Sequence, residues 1–111
     1  IRASACRMAS VHEFILSLPD GYKTRGGALG DNLSAGEKQR IGLARAFLRG
    51  SEWILLDEPT SNVDSINEGI ILKALQEQKR KKSILLVSHR ESTMAIADRI
   101  YRVKDGRMAE I

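Results

Sequence analysis

The chain has 111 residues, 42% hydrophobic and 29% charged, a globular composition that excludes intrinsic disorder and has the size of one small domain or a piece of a larger one. Eighteen Lys and Arg against fourteen Asp and Glu leave a net charge of +4, too small an excess to demand a nucleic acid or other polyanion as partner. Cys6 is the single cysteine, which excludes an internal disulfide or a cysteine-based zinc site and fits a reducing compartment.

The longest aliphatic or aromatic runs are Trp53-Ile54-Leu55-Leu56 and Ile84-Leu85-Leu86-Val87, far short of the ~20 residues that cross a bilayer. Residues 1–4 lead into no apolar signal-peptide core. With no initiator Met, the chain reads as a segment of a longer protein.

From Ala3 to Leu18, the residues Met8, Val11, Ile15 and Leu18 recur at helical intervals with Phe14 beside them, predicting one amphipathic helix. Pro19-Asp20-Gly21 stops it, and a Gly-rich polar loop follows over 21–32. Ser34-Ala35-Gly36-Glu37 has the Ser-x-x-Glu spacing of a capping box. The helix it opens is expected to bury Ile41, Ala44 and Leu48, flanked by Leu43 and Phe47, and to end at Gly50-Ser51.

Trp53–Leu56 is a short apolar run closed by Asp57-Glu58-Pro59, the pattern of a strand buried on both faces. Ser65-Ile66-Asn67-Glu68 has capping-box spacing again and predicts a helix with Ile66, Ile70, Ile71, Ala74 and Leu75 inward. It runs out in the cations of residues 79–82, which suit a helix C-terminus. Ile84–Val87 reads as a second buried strand closed by Ser88-His89, a short helix follows over 91–97, and Ile100–Val103 with Met108–Ile111 predict a closing hairpin. Two short buried strands joined by a crossover helix make a βαβ unit, so the fold class is α/β with a helical front.

Ligands in such sheets gather beyond the carboxyl ends of the strands, and the residues there carry chemistry. Asp57 can hold Mg²⁺, which takes one or two carboxylates plus phosphate oxygens. Glu58 can orient and polarise an attacking water. His89, at the end of the neighbouring strand, can donate to a phosphate oxygen. Taken singly, an Asp-Glu pair is more often a solvated strand end and a lone His a solvated loop residue; two adjacent strand ends bring the three together. Ser34 to Glu37 caps its helix and, with Gly36 allowing close approach, also suits an anion. A substitution at Gly36 is therefore expected to disturb that approach more than folding. No Gly-x-x-x-x-Gly-Lys-Ser/Thr loop occurs: Gly21 and Gly26 have the spacing, but Gly27 follows. The chain therefore holds metal and water chemistry but no loop to cradle β- and γ-phosphates.

These residues resemble the C-terminal part of an ATP-binding-cassette (ABC) ATPase domain, and the resemblance covers nearly the whole chain. Leu33-Ser34-Ala35-Gly36-Glu37 resembles the signature motif and residues 38–46 its helix. Ile54-Leu55-Leu56-Asp57 resembles Walker B with Glu58 as catalytic glutamate, Ser61-Asn62-Val63-Asp64 the D-loop, and His89 the switch histidine. The stretches 9–15 and 18–24, with Ser88-His89-Arg90, resemble exporter-type cassettes.

The resemblance implies a partial RecA-like P-loop NTPase core with parallel strands, crossover helices and a closing hairpin over 51–111. Helices of the ABC helical subdomain would precede it over 1–50. A whole cassette is about 200–250 residues, with Walker A N-terminal to this segment, so the chain alone is expected to bind nucleotide weakly and to have negligible ATPase activity. The resemblance further implies ATP and Mg²⁺ as cofactors, Glu58 and His89 as catalytic residues, and Asp57 on Mg²⁺ through water. Ser34, Ala35, Gly36 and Glu37 would contact the ATP of a partner ABC ATPase domain in a head-to-tail dimer, and Asp64 would act across that interface.

Implied partners are the second ATPase domain and transmembrane domains, without nucleic acid, at the cytoplasmic face of a membrane. Hydrolysis would drive substrate translocation. A soluble ABC-type ATPase acting on DNA or ribosomes, or a non-catalytic fragment, remain the alternatives. Three positions depart from the usual pattern: Ala28 where exporters carry Glu, and Ala35 and Glu37 where Gly and Gln are commoner.

Overall fold

The computed structural model describes residues 3–23 and 34–111. Helix α1 spans Ala3–Met8 and α2 spans His12–Ser17, so the single helix predicted over 3–18 is two. Ser10 lies in the left-handed region, φ 58°. Its N–H donates to the Arg7 carbonyl, and the Val11 N–H reaches back to the Cys6 carbonyl at 2.9 Å. That pair of bonds closes a helix when one residue turns left-handed. Val11 and Ile15 are nonetheless buried, so the apolar stripe outlasts the break. Gly21–Lys23 form a 3₁₀ turn, tied to α2 by the 2.6 Å contact of His12 Nδ1 with the Tyr22 hydroxyl. The rest of the predicted loop, with Ala28, lies outside the described residues.

Helix α3, Ala35–Leu48, opens on Ser34 with both capping-box bonds. The Glu37 N–H donates to Ser34 Oγ at 3.2 Å, and the Ser34 N–H donates to Glu37 Oε2 at 2.7 Å. Its buried side is Gly36, Leu43, Ala44 and Phe47. Ile41 is half-buried, and Leu48, predicted inward, is exposed on the last turn. The buried side is thus centred on the residues read as flanking. Helix α1 packs on α3, and its buried residues, Ala5 and Cys6, are small enough to allow close approach. Arg40 Nη1 donates to the Ser10 carbonyl at 3.0 Å and fastens the α1–α2 break to α3.

Strands β1, Trp53–Asp57, and β2, Ser83–Val87, pair in parallel from Trp53↔Ser83 to Asp57↔Val87. Helix α4, Ser65–Gln78, joins them. Its N-cap is Asp64, whose Oδ1 accepts from the Asn67 N–H at 2.7 Å, one residue before the predicted capping box at Ser65. The Glu68 carboxylate cannot complete that box because it turns to Arg90, with Oε2 2.8 Å from Nη1. Starting the helix there leaves Ile66, predicted inward, exposed, while Ile71, Ala74 and Leu75 are buried.

Helix α5 is Glu91–Met94, shorter than the predicted 91–97. Lys79 Nζ takes the Ile96 carbonyl at 3.0 Å and Asp98 Oδ1 at 3.1 Å, drawing that segment out of the helix. Strands β3, Tyr101–Lys104, and β4, Arg107–Glu110, form the predicted hairpin within a residue of its expected bounds. Asp105 and Gly106 both have positive φ, the geometry of the two-residue turns that match strand twist.

The core joins Val11, Leu43, Phe47, Ile54, Ile71 and Leu75. Ile54, Leu56, Ile84 and Leu86 share the sheet face that meets it. The opposite face is open: Trp53 is 67% exposed, Leu55 71%, Leu85 53% and Val87 53%. The strands predicted to be buried on both faces are covered on one, because the helices of the described residues pack against that side alone.

Candidate active site at the carboxyl end of the strands

The parallel register places the ends of β1 and β2 side by side, Asp57 opposite Val87. Asp57 is exposed on the same face as Leu55. Glu58, next along, has φ 51°. A non-glycine residue in that region costs roughly 1–3 kcal/mol and persists only where its surroundings hold it. Here they do. The Glu58 N–H donates to the Val87 carbonyl at 2.7 Å. The Glu58 carbonyl accepts from the Ser61 N–H at 3.2 Å and from Ser61 Oγ at 3.1 Å. The side chain then lies with Oε1 3.5 Å from His89 Nε2.

That separation is within ion-pair range and longer than an ordinary direct hydrogen bond. The His89 side chain is 94% exposed and that of Glu58 30%, so the carboxylate is set back and the imidazole stands in the open. A water accepted by the carboxylate would lie beside a ring N–H able to donate to an oxyanion. Asp57 offers a single carboxylate, and among the described residues no group of three or more His, Cys, Asp or Glu forms a metal cage. One carboxylate fits Mg²⁺, whose other ligands are commonly water and phosphate oxygens.

The N-terminus of α3 carries the other candidate residues. Ser34 and Ala35 are exposed and Glu37 half-buried, but Gly36 is buried. A Cβ added at Gly36 would fall on Asn67, including its Cβ at 2.6 Å. The expectation that Gly36 stands open to a ligand is therefore corrected: Asn67 covers it. Asn67 Nδ2 in turn reaches both carboxylate oxygens of Asp64 at 3.1 Å. The backbone N–H of Asn67, and then its side chain, hold the Asp64 carboxyl below the usual carboxylate range. Ser34–Glu37 and Asp64, read separately in the sequence, are brought together through Asn67. No local pattern signals that contact between two helix starts.

Sequence reasoning also missed a group behind the strand ends. Arg90 Nη1 lies 2.8 Å from Glu68 Oε2 and donates to the Thr60 carbonyl at 2.5 Å. The hydroxyls of Thr60 and Thr93, both buried, share a hydrogen bond at 2.9 Å. The one available signal was Arg90 itself, a cation directly after His89.

Residues 6–61 match the family described as ABC transporter. A probable ABC transporter ATP-binding/permease protein of Haemophilus influenzae is 61% identical over 95% of this chain, which covers 19% of that protein. Multidrug resistance protein pgp-1 of Caenorhabditis elegans is 43% identical over 97% of the chain, which covers 8% of it. Among solved structures, a bacterial Atm1-family ABC exporter with ATP bound superposes with a TM-score of 0.83 at 36% identity. That match covers 97% of this chain and 19% of the exporter. The chain thus spans a fifth or less of the length of these relatives.

Proposed function

This chain belongs to the ABC transporter family, and we propose that it is the later part of an ATPase domain that hydrolyses ATP to drive transport. Residues 1–50 supply part of the helical subdomain and 51–111 the second half of a RecA-like core. The observation that carries the reading is the approach of Glu58 Oε1 to His89 Nε2 at 3.5 Å, with Asp57 one residue earlier at the same sheet edge. Glu58 accepts a proton from, and orients, the attacking water. His89 donates to the γ-phosphate. Asp57 would hold Mg²⁺, directly or through water, and such an ion would supply charge neutralisation at the phosphate oxygens.

Ser34, Ala35 and Glu37 face the ATP of a second ATPase domain, Gly36 lies behind them under Asn67, and Asp64 acts at that interface. Transmembrane domains and a cytoplasmic position at a membrane complete the assembly. Among the described residues no helix is long and apolar enough to cross a membrane. The open apolar face of β1 and β2 supports the reading, since strands apolar on both faces belong to sheets covered on both sides. Relatives named as an ATP-binding/permease protein and a multidrug resistance protein favour transport over DNA or ribosome work.

The test is Glu58→Gln in the full-length protein. The amide keeps size but cannot take the proton. ATP binding, read with a fluorescent nucleotide, should persist while hydrolysis falls about 100-fold or more, the usual range for losing a general base. Hydrolysis within a few-fold of the unmodified protein would remove Glu58 from this role.

A further inference from the structure

We infer that Arg90, held by Glu68, is a positioning residue that sets Glu58 opposite His89. The inference rests on the reading of Glu58 given above and concerns what holds it in place.

The segment from Glu58 to Asn62 has a left-handed residue at each end, φ 51° at Glu58 and 62° at Asn62. Such a path relaxes unless it is tied. Three ties join it to the β2 end and α5. The Glu58 N–H bonds the Val87 carbonyl, Arg90 Nη1 bonds the Thr60 carbonyl, and the Thr60 hydroxyl meets that of Thr93. Arg90 supplies the only charged tie of the three, and charge-assisted bonds are the stronger kind.

Arg90 belongs to both sides of the site. Its backbone follows His89 directly, and its N–H donates to Ser88 Oγ at 3.0 Å, which fixes the turn carrying the histidine. Its guanidinium grips the segment carrying the glutamate. The Glu68 side chain, 11% exposed, anchors that guanidinium from α4. A buried carboxylate keeps its cation close, because leaving it unpaired is costly. One side chain therefore spans the histidine turn, the glutamate segment and the crossover helix. Both contacts are made by Nη1, and a lysine, whose ammonium rides on a flexible stem without the rigid guanidinium plane, does not hold a donor at that point as firmly.

The experiment uses Arg90→Lys in the full-length protein, with Glu68→Gln as a second variant that keeps volume and removes the anchor's charge. Both should lower kcat for ATP hydrolysis about tenfold and change KM for ATP less than twofold, since misplacing a reacting group by about 1 Å can cost roughly 100-fold. Backbone amide exchange at Glu58 and Ser61 should quicken about tenfold while exchange along α3 stays unchanged, the mark of a local opening. Added to Glu58→Gln, Arg90→Lys should remove little further activity, because groups acting through one another are not additive.

An unchanged kcat, a matching loss of ATP affinity, unaltered exchange at Glu58 and Ser61, or a full tenfold additive loss on top of Glu58→Gln would each overturn the inference. Intact hydrolysis in Glu58→Gln alone would overturn the earlier reading of Glu58 instead. The exchange data would still decide whether Arg90 holds the segment.

Discussion

The helical front of the chain and its strand half treat apolar residues differently. In the front, α1 packs on α3, and Ala5, Cys6, Leu43, Ala44 and Phe47 are all buried. In the strand half, Ile54 is 5% exposed while its neighbour Leu55 is 71% exposed. The front buries its apolar residues in a core shared with Ile54, Ile71 and Leu75, whereas the sheet covers one face and leaves the other to solvent. Hydropathy alone treats Ile54 and Leu55 as equals; the fold separates them by the two-residue period of a strand. The polar chemistry follows the same division, with Asp57 on the open face and Glu58 and His89 beyond the strand tips.

The largest effect should come from substituting those two neighbours. Ile54→Ala removes a buried side chain and should cost about 2–5 kcal/mol in urea unfolding of the segment. Leu55→Ser should change the same measurement by no more than about 0.5 kcal/mol. In the full-length protein Leu55→Ser should approach the cost of a core substitution if the open face is covered there. Equal costs for the two substitutions in the segment would erase the contrast between the sheet faces.

What could be read from the residues was local. The Ser34–Glu37 box, the two strand runs, the closing hairpin and the meeting of Asp57, Glu58 and His89 at one edge follow from spacing and from parallel pairing. What escaped was decided by partners far along the chain or by unusual backbone at ordinary residues. Ser10 takes a left-handed conformation usually given to Gly, so no composition signal marked the break between α1 and α2. Asp64 and Ser65 are both good caps, and Glu68 appeared to favour Ser65 until Arg90 claimed it. The cover over Gly36 comes from Asn67 on another helix. In each case a non-local contact selected between local options of similar energy.

Two glycines on α3 sharpen the contrast between covered and open positions within one helix. A Cβ at Gly42 meets nothing within 4 Å, and Gly42 is exposed. Gly42→Ala should therefore raise stability by up to about 1 kcal/mol through helix propensity. At Gly36 the added Cβ overlaps the Asn67 side chain down to its own Cβ, so rotating the amide away does not relieve the clash. Gly36→Ala should lower stability by about 1–3 kcal/mol despite the same propensity gain. Thermal unfolding of both variants decides it. A stabilising Gly36→Ala would mean that Asn67 moves aside at little cost.

The smallest effect separates the two helix caps by their response to pH. Ser34 caps α3 with a neutral hydroxyl, and Asp64 caps α4 with a carboxylate. The Asn67 N–H and then the Asn67 side chain hold the Asp64 carboxyl below its usual range, so folding favours the ionised form. A carboxyl whose folded value lies below its unfolded value contributes its full stability above the unfolded value, about 3.9. The contribution is lost as pH falls through the lower, folded value. Asp64→Asn is the matched probe, because Asn caps well and resembles a protonated Asp. The melting temperature of the unmodified protein should exceed that of Asp64→Asn at neutral pH. The gap should close as the pH drops below the usual carboxylate range, since both caps are then uncharged. A gap of constant size across that range would show that Asn67 responds to the shape of the Asp64 side chain and not to its charge.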